Sequence, residues 1–167
     1  DRHAGLIQAV RAVGARIKLI SDGDVSAALM TALPDSGIDV LMGSGGSPEA
    51  VITAAAMKCL GGEIHARLWP RDEAERRFAA EMGYDVRRIL TADDLVRGDN
   101  IFFAATGITD GEILKGVRYT GEGARTFSLV MRSRSGTVRF IEAVHRWDKL
   151  RRISGYPYDR GAGGVPP

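Results

Sequence analysis

The sequence predicts an α/β fold: a mostly parallel sheet flanked by helices on both faces, with an antiparallel hairpin at the C-terminal end. Three observations predict it. β-rich segments alternate with helical patterns over the first two-thirds of the chain, as parallel strands joined by crossover helices require. Glycine-rich or Asp-Gly turns stand where strand should pass to helix. Two alternating, branched runs are joined by Ser135-Gly136, which is hairpin chemistry.

The elements follow in order. Leu6, Ile7, Val10 and Val13 recur at helical spacing and Gly14 stops them, so residues 3–13 read as a helix. Residues 15–20 alternate and read as a strand. Ser21 to Asp24 is a turn, with Asp24 placed to cap a helix running from Val25 to Leu33 and stopped by Pro34. Residues 38–42 read as a second strand, followed by the turn from Gly43 to Ser47. Pro48 suits a first helical position, and an apolar helix runs to Leu60 before Gly61-Gly62. Residues 63–68 read as a third strand, 71–82 as a charged amphipathic helix, and 100–105 as a further strand. Residues 117–119, 126–134 and 137–145 read as the closing strands. Residues 147–167 are basic and rich in Gly and Pro towards the end, and read as a disordered tail behind one domain over 1–146.

Composition excludes several classes of function. A chain of 167 residues is long enough for one domain with a real core. Its 23 Lys and Arg against 21 Asp and Glu leave a formal charge of +2, which argues against a dedicated nucleic-acid binder. The single Cys59 excludes an intramolecular disulfide and a multi-cysteine zinc site. No apolar stretch approaches the roughly 20 residues of a membrane helix, and no signal peptide pattern is present, so the expected location is cytoplasmic. The chain opens at Asp1 without an initiator Met and reads as a fragment.

Ligands of open α/β sheets bind where loops leave the carboxyl ends of strands. Three turns qualify: Asp22-Gly23-Asp24, Gly43 to Glu49, and Thr106 to Gly111. The Gly43 turn precedes a helix N-terminus and can offer main-chain N–H groups to an anion. Equally, it can be a tight connection whose Glu49 complements the helix dipole. It lacks the ending of a phosphate-binding P-loop and the spacing of a dinucleotide fingerprint. Asp22 and Asp24 suit a hard cation or sugar hydroxyls, or simply cap a helix and face water. The Thr106 loop either orients a substrate or is an ordinary polar loop. Arg2, paired with His3 at a helix start, either reaches a phosphate bidentately or is solvated surface. His65 and His145 have no partners at metal-ligand spacing, and Cys59 reads as a buried hydrophobe.

The motifs occur in an order that closely resembles the class II fructose-1,6-bisphosphatases of bacteria. The residues that carry it are Arg2-His3, Ser21-Asp-Gly-Asp-Val25, Pro34 to Asp39, Gly43 to Glu49, Leu90 to Val96, Ala105 to Gly111 and the hairpin Ser128 to Arg139. The resemblance spans about residues 1–145. It implies the fold of the lithium-sensitive, metal-dependent sugar phosphatases. It also implies removal of the 1-phosphate of fructose 1,6-bisphosphate by water in gluconeogenesis, with sedoheptulose 1,7-bisphosphate accepted by cyanobacterial relatives. By the same resemblance Arg2, Asp22, Gly23, Asp24 and Gly46 contact substrate and Glu49 ligates Mn²⁺ or Mg²⁺. Ser44 and Ser47 depart from the bulkier Ile and the Ala usual in the glycine motif, and Asp1 from a Pro.

In the family the other metal carboxylates and the water-activating threonine precede the Arg-His motif. The expectation is therefore a substrate-holding half of a homo-oligomeric enzyme, with no catalytic residue of its own. The alternative is a non-catalytic module that binds sugar phosphates.

Overall fold

The computed structural model describes residues 2–154. Its elements are α1 (Ala4–Ala12), α2 (Asp24–Ala32), α3 (Ser47–Leu60), α4 (Glu73–Glu81), α5 (Ala92–Leu95), β1 (Phe102–Thr106), β2 (Arg118–Thr120), β3 (Gly123–Arg132), β4 (Thr137–Arg146) and α6 (Trp147–Ile153). The helices expected over 3–13, 25–33, 48–60 and 71–82 correspond to α1 to α4 within two residues at each end.

Local chemistry accounts for the helix ends. Gly46 is extended at the N-cap of α3, Pro48 occupies its first turn, and Gly61 ends it at φ 75° with its N–H on the Met57 carbonyl. Asp72 caps α4 by accepting the Glu75 N–H at 2.8 Å. Arg71 pairs with Glu75 beside that cap. The cap of α2 is not Asp24, as the sequence predicts, but Gly23, which sits at φ 78°. Asp24 is the first helical residue and makes no capping bond; its carboxylate is turned elsewhere.

The sheet is antiparallel throughout. β3 is its centre: β4 pairs with its whole length, from Gly123↔Arg146 to Arg132↔Thr137. β1 and β2 share the other edge, β1 against Ser128 to Arg132 and β2 against Gly123 to Arg125. Gly136, at φ 59°, closes the turn between β3 and β4, as expected of the hairpin. Gly123 faces the His145 carbonyl so closely that any side chain would collide with it.

α3 packs across one face of this sheet. Leu129 and Met131 of β3 and Phe103 of β1 meet Ala56 and Cys59 of α3 and Leu29 of α2, with Val138 of β4 alongside. Leu129 and Met131 are fully buried. The other face carries polar pairs: Thr106 with Ser128 at 2.8 Å, Thr126 with His145 at 2.9 Å, and Arg132 over the Phe102 ring. One packed and one wet face is the ordinary arrangement of an antiparallel sheet. Burial raises the Cys59 thiol pKa, in keeping with its reading as a core residue.

This corrects the expectation of a mostly parallel sheet. Residues 15–20 and 38–42 form no ladder among the described residues, and 63–68 makes only the antiparallel bridge Ala66↔Leu90. Leu19, Ile20, Val40, Leu41 and Met42 stay exposed as a result. The physical reason is that alternation and branching are local properties, whereas parallel pairing needs a distant neighbour in register. The predicted tail differs too: its first seven residues form α6, tied by Trp147 N–H to the Glu122 carbonyl at 3.0 Å. Residues 155–167 lie outside the described residues. Among those described, no helix is long and apolar enough to cross a membrane.

Leu129 tests this packing. Leu129→Ala removes a fully buried side chain between α3 and the sheet and is expected to cost about 3 kcal/mol in urea unfolding. A loss below about 1 kcal/mol would contradict the placement of the core.

Candidate functional site

The packing of α2 against α3 brings two of the predicted turns together. Gly23 in its left-handed conformation starts α2, and Asp24 follows on its first turn. Its carboxylate lies against Gly45: a Cβ built there would stand 2.7 Å from Asp24 Oδ2. On the other side of the turn, Glu49 folds back over Gly46, and a Cβ on Gly46 would collide with Glu49 Oε2. The two glycines are thus the positions where main chain approaches the two carboxylates.

The N-terminal residues close the site from a third direction. Arg2 Nη2 donates to the Ser44 carbonyl at 2.8 Å, and His3 Nε2 accepts the Ser44 N–H at 3.0 Å. Arg2, Asp24, Gly46 and Glu49 therefore converge on one glycine-rich turn, and Gly23 supplies the corner that places Asp24. Asp22 is held only locally, accepting from Ser21 Oγ at 3.3 Å. His3 and Gly45 stand in motifs that carry the resemblance, but the sequence reading gave neither a role in the site. His3 bonds across 41 positions, and no local pattern announces a contact of that range.

The third predicted turn is organised differently. Thr106 Oγ1 bonds to Ser128, and Gly107 N–H to the Phe127 carbonyl at 2.9 Å. Asp110 accepts from Arg118 at 2.6 and 2.8 Å and from the Gly116 N–H at 2.9 Å. The Arg118 guanidinium, and then the Gly116 N–H, hold the Asp110 carboxyl below the usual carboxylate range. Lys18 pairs with Glu112 and ties this loop to residues 15–20. The contacts of this loop are those of a closed structural loop.

A separate groove of about 300 Å³ is lined by Lys58, Glu63, His65, Thr91 and Asp93. Lys58 spans its wall, bonded to Asp93 at 2.5 Å and to the Val96 carbonyl at 3.1 Å. None of the predicted site residues lines it.

Carboxylates are hard oxygen donors and suit Mg²⁺ or Mn²⁺. Glu49, at a helix start and over a glycine, fits such an ion as one ligand. Among the described residues no three His, Cys, Asp or Glu side chains converge to hold a metal, so the described donors do not complete a site. What the turn can do by itself is present main-chain groups, two carboxylates and a guanidinium to a small polar ligand carrying phosphate and hydroxyl groups.

The comparisons with known proteins agree in direction. The family model described as bacterial fructose-1,6-bisphosphatase, glpX-encoded, matches residues 1–145. The D-fructose 1,6-bisphosphatase class 2/sedoheptulose 1,7-bisphosphatase of Synechococcus sp. (strain JA-3-3Ab) is 45% identical over 160 residues, covering 88% of this chain and 46% of that protein. The fructose-1,6-bisphosphatase class 2 of Haemophilus influenzae is 40% identical over 165 residues, covering 91% of this chain and 50% of that protein. The chain thus spans about half the length of the curated relatives it matches.

Two outcomes are expected of this geometry. Gly45→Ala and Gly46→Ala meet only the carboxylate ends of Asp24 and Glu49 and have no left-handed φ to lose. Each should shift unfolding by no more than about 0.5 kcal/mol while displacing Asp24 or Glu49, which a ligand titration would register as weakened binding. Asp110 gives the pH dependence. Its folded pKa is depressed, so its contribution is present above the unfolded value of about 3.9 and is lost as pH falls through the folded one. Urea midpoints taken from pH 5 down to pH 2 should fall less steeply in Asp110→Asn than in the parent; equal slopes would contradict the Arg118 pairing.

Proposed function

This chain belongs to the bacterial class II fructose-1,6-bisphosphatase family, and on that premise we propose that it is the substrate-holding half of a sugar-bisphosphate phosphatase. The reaction is hydrolysis of the 1-phosphate of fructose 1,6-bisphosphate to fructose 6-phosphate and phosphate. The observation that carries the reading is the convergence of Arg2, Asp24, Gly46 and Glu49 on one turn, from segments as far apart as residues 2 and 49.

In this reading each group has a role its chemistry suits. Arg2 already lies beside the turn, and its fork of donors matches a phosphate. Asp22 and Asp24 accept hydrogen bonds from sugar hydroxyls, with Gly23 setting the angle between them. Gly46 lets the ligand approach main chain that a side chain would block. Glu49 is one carboxylate ligand of Mn²⁺ or Mg²⁺; when bound, such an ion polarises a phosphoryl oxygen and lowers the pKa of its water. Holding the sugar fixed while another part of the protein delivers water accelerates the reaction by orientation alone.

The relatives are about twice this length, and the expected catalytic threonine and remaining carboxylates belong to their other half. Lack of a three-ligand cluster among the described residues also favours a second reading, a module that binds sugar phosphate without cleaving it. Both readings expect calorimetric binding of fructose 1,6-bisphosphate to the 167-residue chain, weakened about tenfold or more by Asp24→Ala or Arg2→Ala, the loss of a charge-assisted hydrogen bond. Absence of binding would exclude both. Phosphate release with Mn²⁺ is then expected only when the chain forms part of the full-length protein. Robust turnover by the isolated chain would overturn the half-enzyme reading, and none from the full-length protein would favour the module.

A further inference from the structure

We propose that His3 is a positioning residue: its imidazole latches the glycine-rich turn, through the Ser44 main chain, in the shape that sets Gly45 and Gly46 against the two carboxylates. The proposal builds on the substrate-holding reading of the turn, but its structural core stands on geometry alone.

Residues 43–46 read Gly-Ser-Gly-Gly, a stretch with very little intrinsic preference for one backbone conformation. The turn is also exposed, so packing does not define it. Two adjacent side chains hold Ser44 at both main-chain groups. Arg2 donates to its carbonyl at 2.8 Å and His3 accepts its N–H at 3.0 Å. The ring lies over Gly43: the imidazole Cε1 stands 3.5 Å from where a Cβ would be, an ordinary van der Waals contact. The orientation fixed at Ser44 passes directly to Gly45 beside Asp24 and Gly46 beside Glu49.

The two clamps are not equivalent. In the substrate-holding reading Arg2 engages a phosphate, and its bond to the Ser44 carbonyl is then in competition with ligand. His3 has no such second duty. It keeps the turn in place when the guanidinium is drawn away. His3 is also the N-cap residue of α1, yet its side chain makes no capping bond and its carbonyl alone starts the helix, accepting Ile7 N–H at 2.9 Å. The imidazole is given over to Ser44.

Hydrogen-bond polarity makes this specific. A main-chain N–H only donates, so Nε2 must carry a lone pair and a neutral ring must hold its proton on Nδ1. Because the bond is to main chain, it is indifferent to what side chain residue 44 bears. A glutamine oxygen reaches about as far along the side chain as Nε2, whereas an asparagine oxygen reaches only as far as Nδ1. His3→Gln should therefore keep the latch and His3→Asn lose it.

The test uses the 167-residue chain. Amide hydrogen exchange of Ser44 should quicken about fivefold in His3→Ala and His3→Asn, the loss of about one net hydrogen bond, and return to the parent rate in His3→Gln. Nitrogen NMR of the parent should find the His3 proton on Nδ1. Fructose 1,6-bisphosphate binding by calorimetry should weaken by a similar factor in Ala and Asn and recover in Gln, with unchanged circular dichroism. Unchanged Ser44 exchange in His3→Ala, a proton on Nε2, or no rescue by Gln would overturn the latch. If the parent binds no sugar bisphosphate, the functional reading fails, and exchange with the tautomer assignment still decides the latch.

Discussion

The structure depends on the burial of α3. The second half of this helix, with Ala54, Ala56, Met57 and Cys59 inaccessible to solvent, lies between α2 and the inner face of the sheet. Its small residues let those elements approach closely. Just past the end of the helix the packing is tight: a Cβ on Gly62 would stand 2.7 Å from the Met57 sulfur and 3.0 Å from Ala32 of α2. A helix buried along its second half has its first turn fixed as well, since a helix moves as a rod. That first turn carries Glu49, and the turn before it carries Gly45 and Gly46. The core thus sets where the candidate site stands, although no residue of the site is buried.

Much of this was legible in the sequence because it is local. Apolar spacing marked α1 to α4, Gly61 and Pro48 marked the ends of α3, and Ser135-Gly136 marked the hairpin. The sheet was misread for the opposite reason. Residues 15–20 and 38–42 have strand composition, but composition does not say which segments pair. Among the described residues the only ladders are those of β1 to β4, and all are antiparallel. Short connections explain why that part of the sheet was readable, since β2, β3 and β4 follow one another with turns of two to four residues.

The site divides along the same line. Asp24, Gly46 and Glu49 stand in turns recognisable by their glycines, and they were candidates from sequence. The meeting of Asp24 with Gly45 was not readable, because it follows from the contact of α2 with α3 rather than from either turn. The helix cap expected of Asp24 did not form, for a related reason. The residue before a helix is a natural cap, but the left-handed Gly23 took that place and released the carboxylate towards the neighbouring turn. His3 shows the limit most clearly. Its partner lies 41 residues away and is main chain, so neither residue type nor spacing could point to it.

Stability and the shape of the candidate site therefore rest on different residues in this chain. Leu129, Met131 and Ala56 hold α3 in place and belong to a core cluster that contains no residue of the site. Arg2, His3, Asp24 and Glu49 shape the site and contribute little burial, and α1, which His3 begins, has no buried residue at all. The end of α1 bearing Arg2 and His3 is thus tied to the fold by polar bonds to one residue of a glycine-rich turn. Such ties are individually worth about 1 kcal/mol, enough to choose among conformations of a glycine stretch but not to decide whether the domain folds. A turn held this way can present its main chain to a ligand in one shape while remaining able to yield when the ligand draws on the same donors.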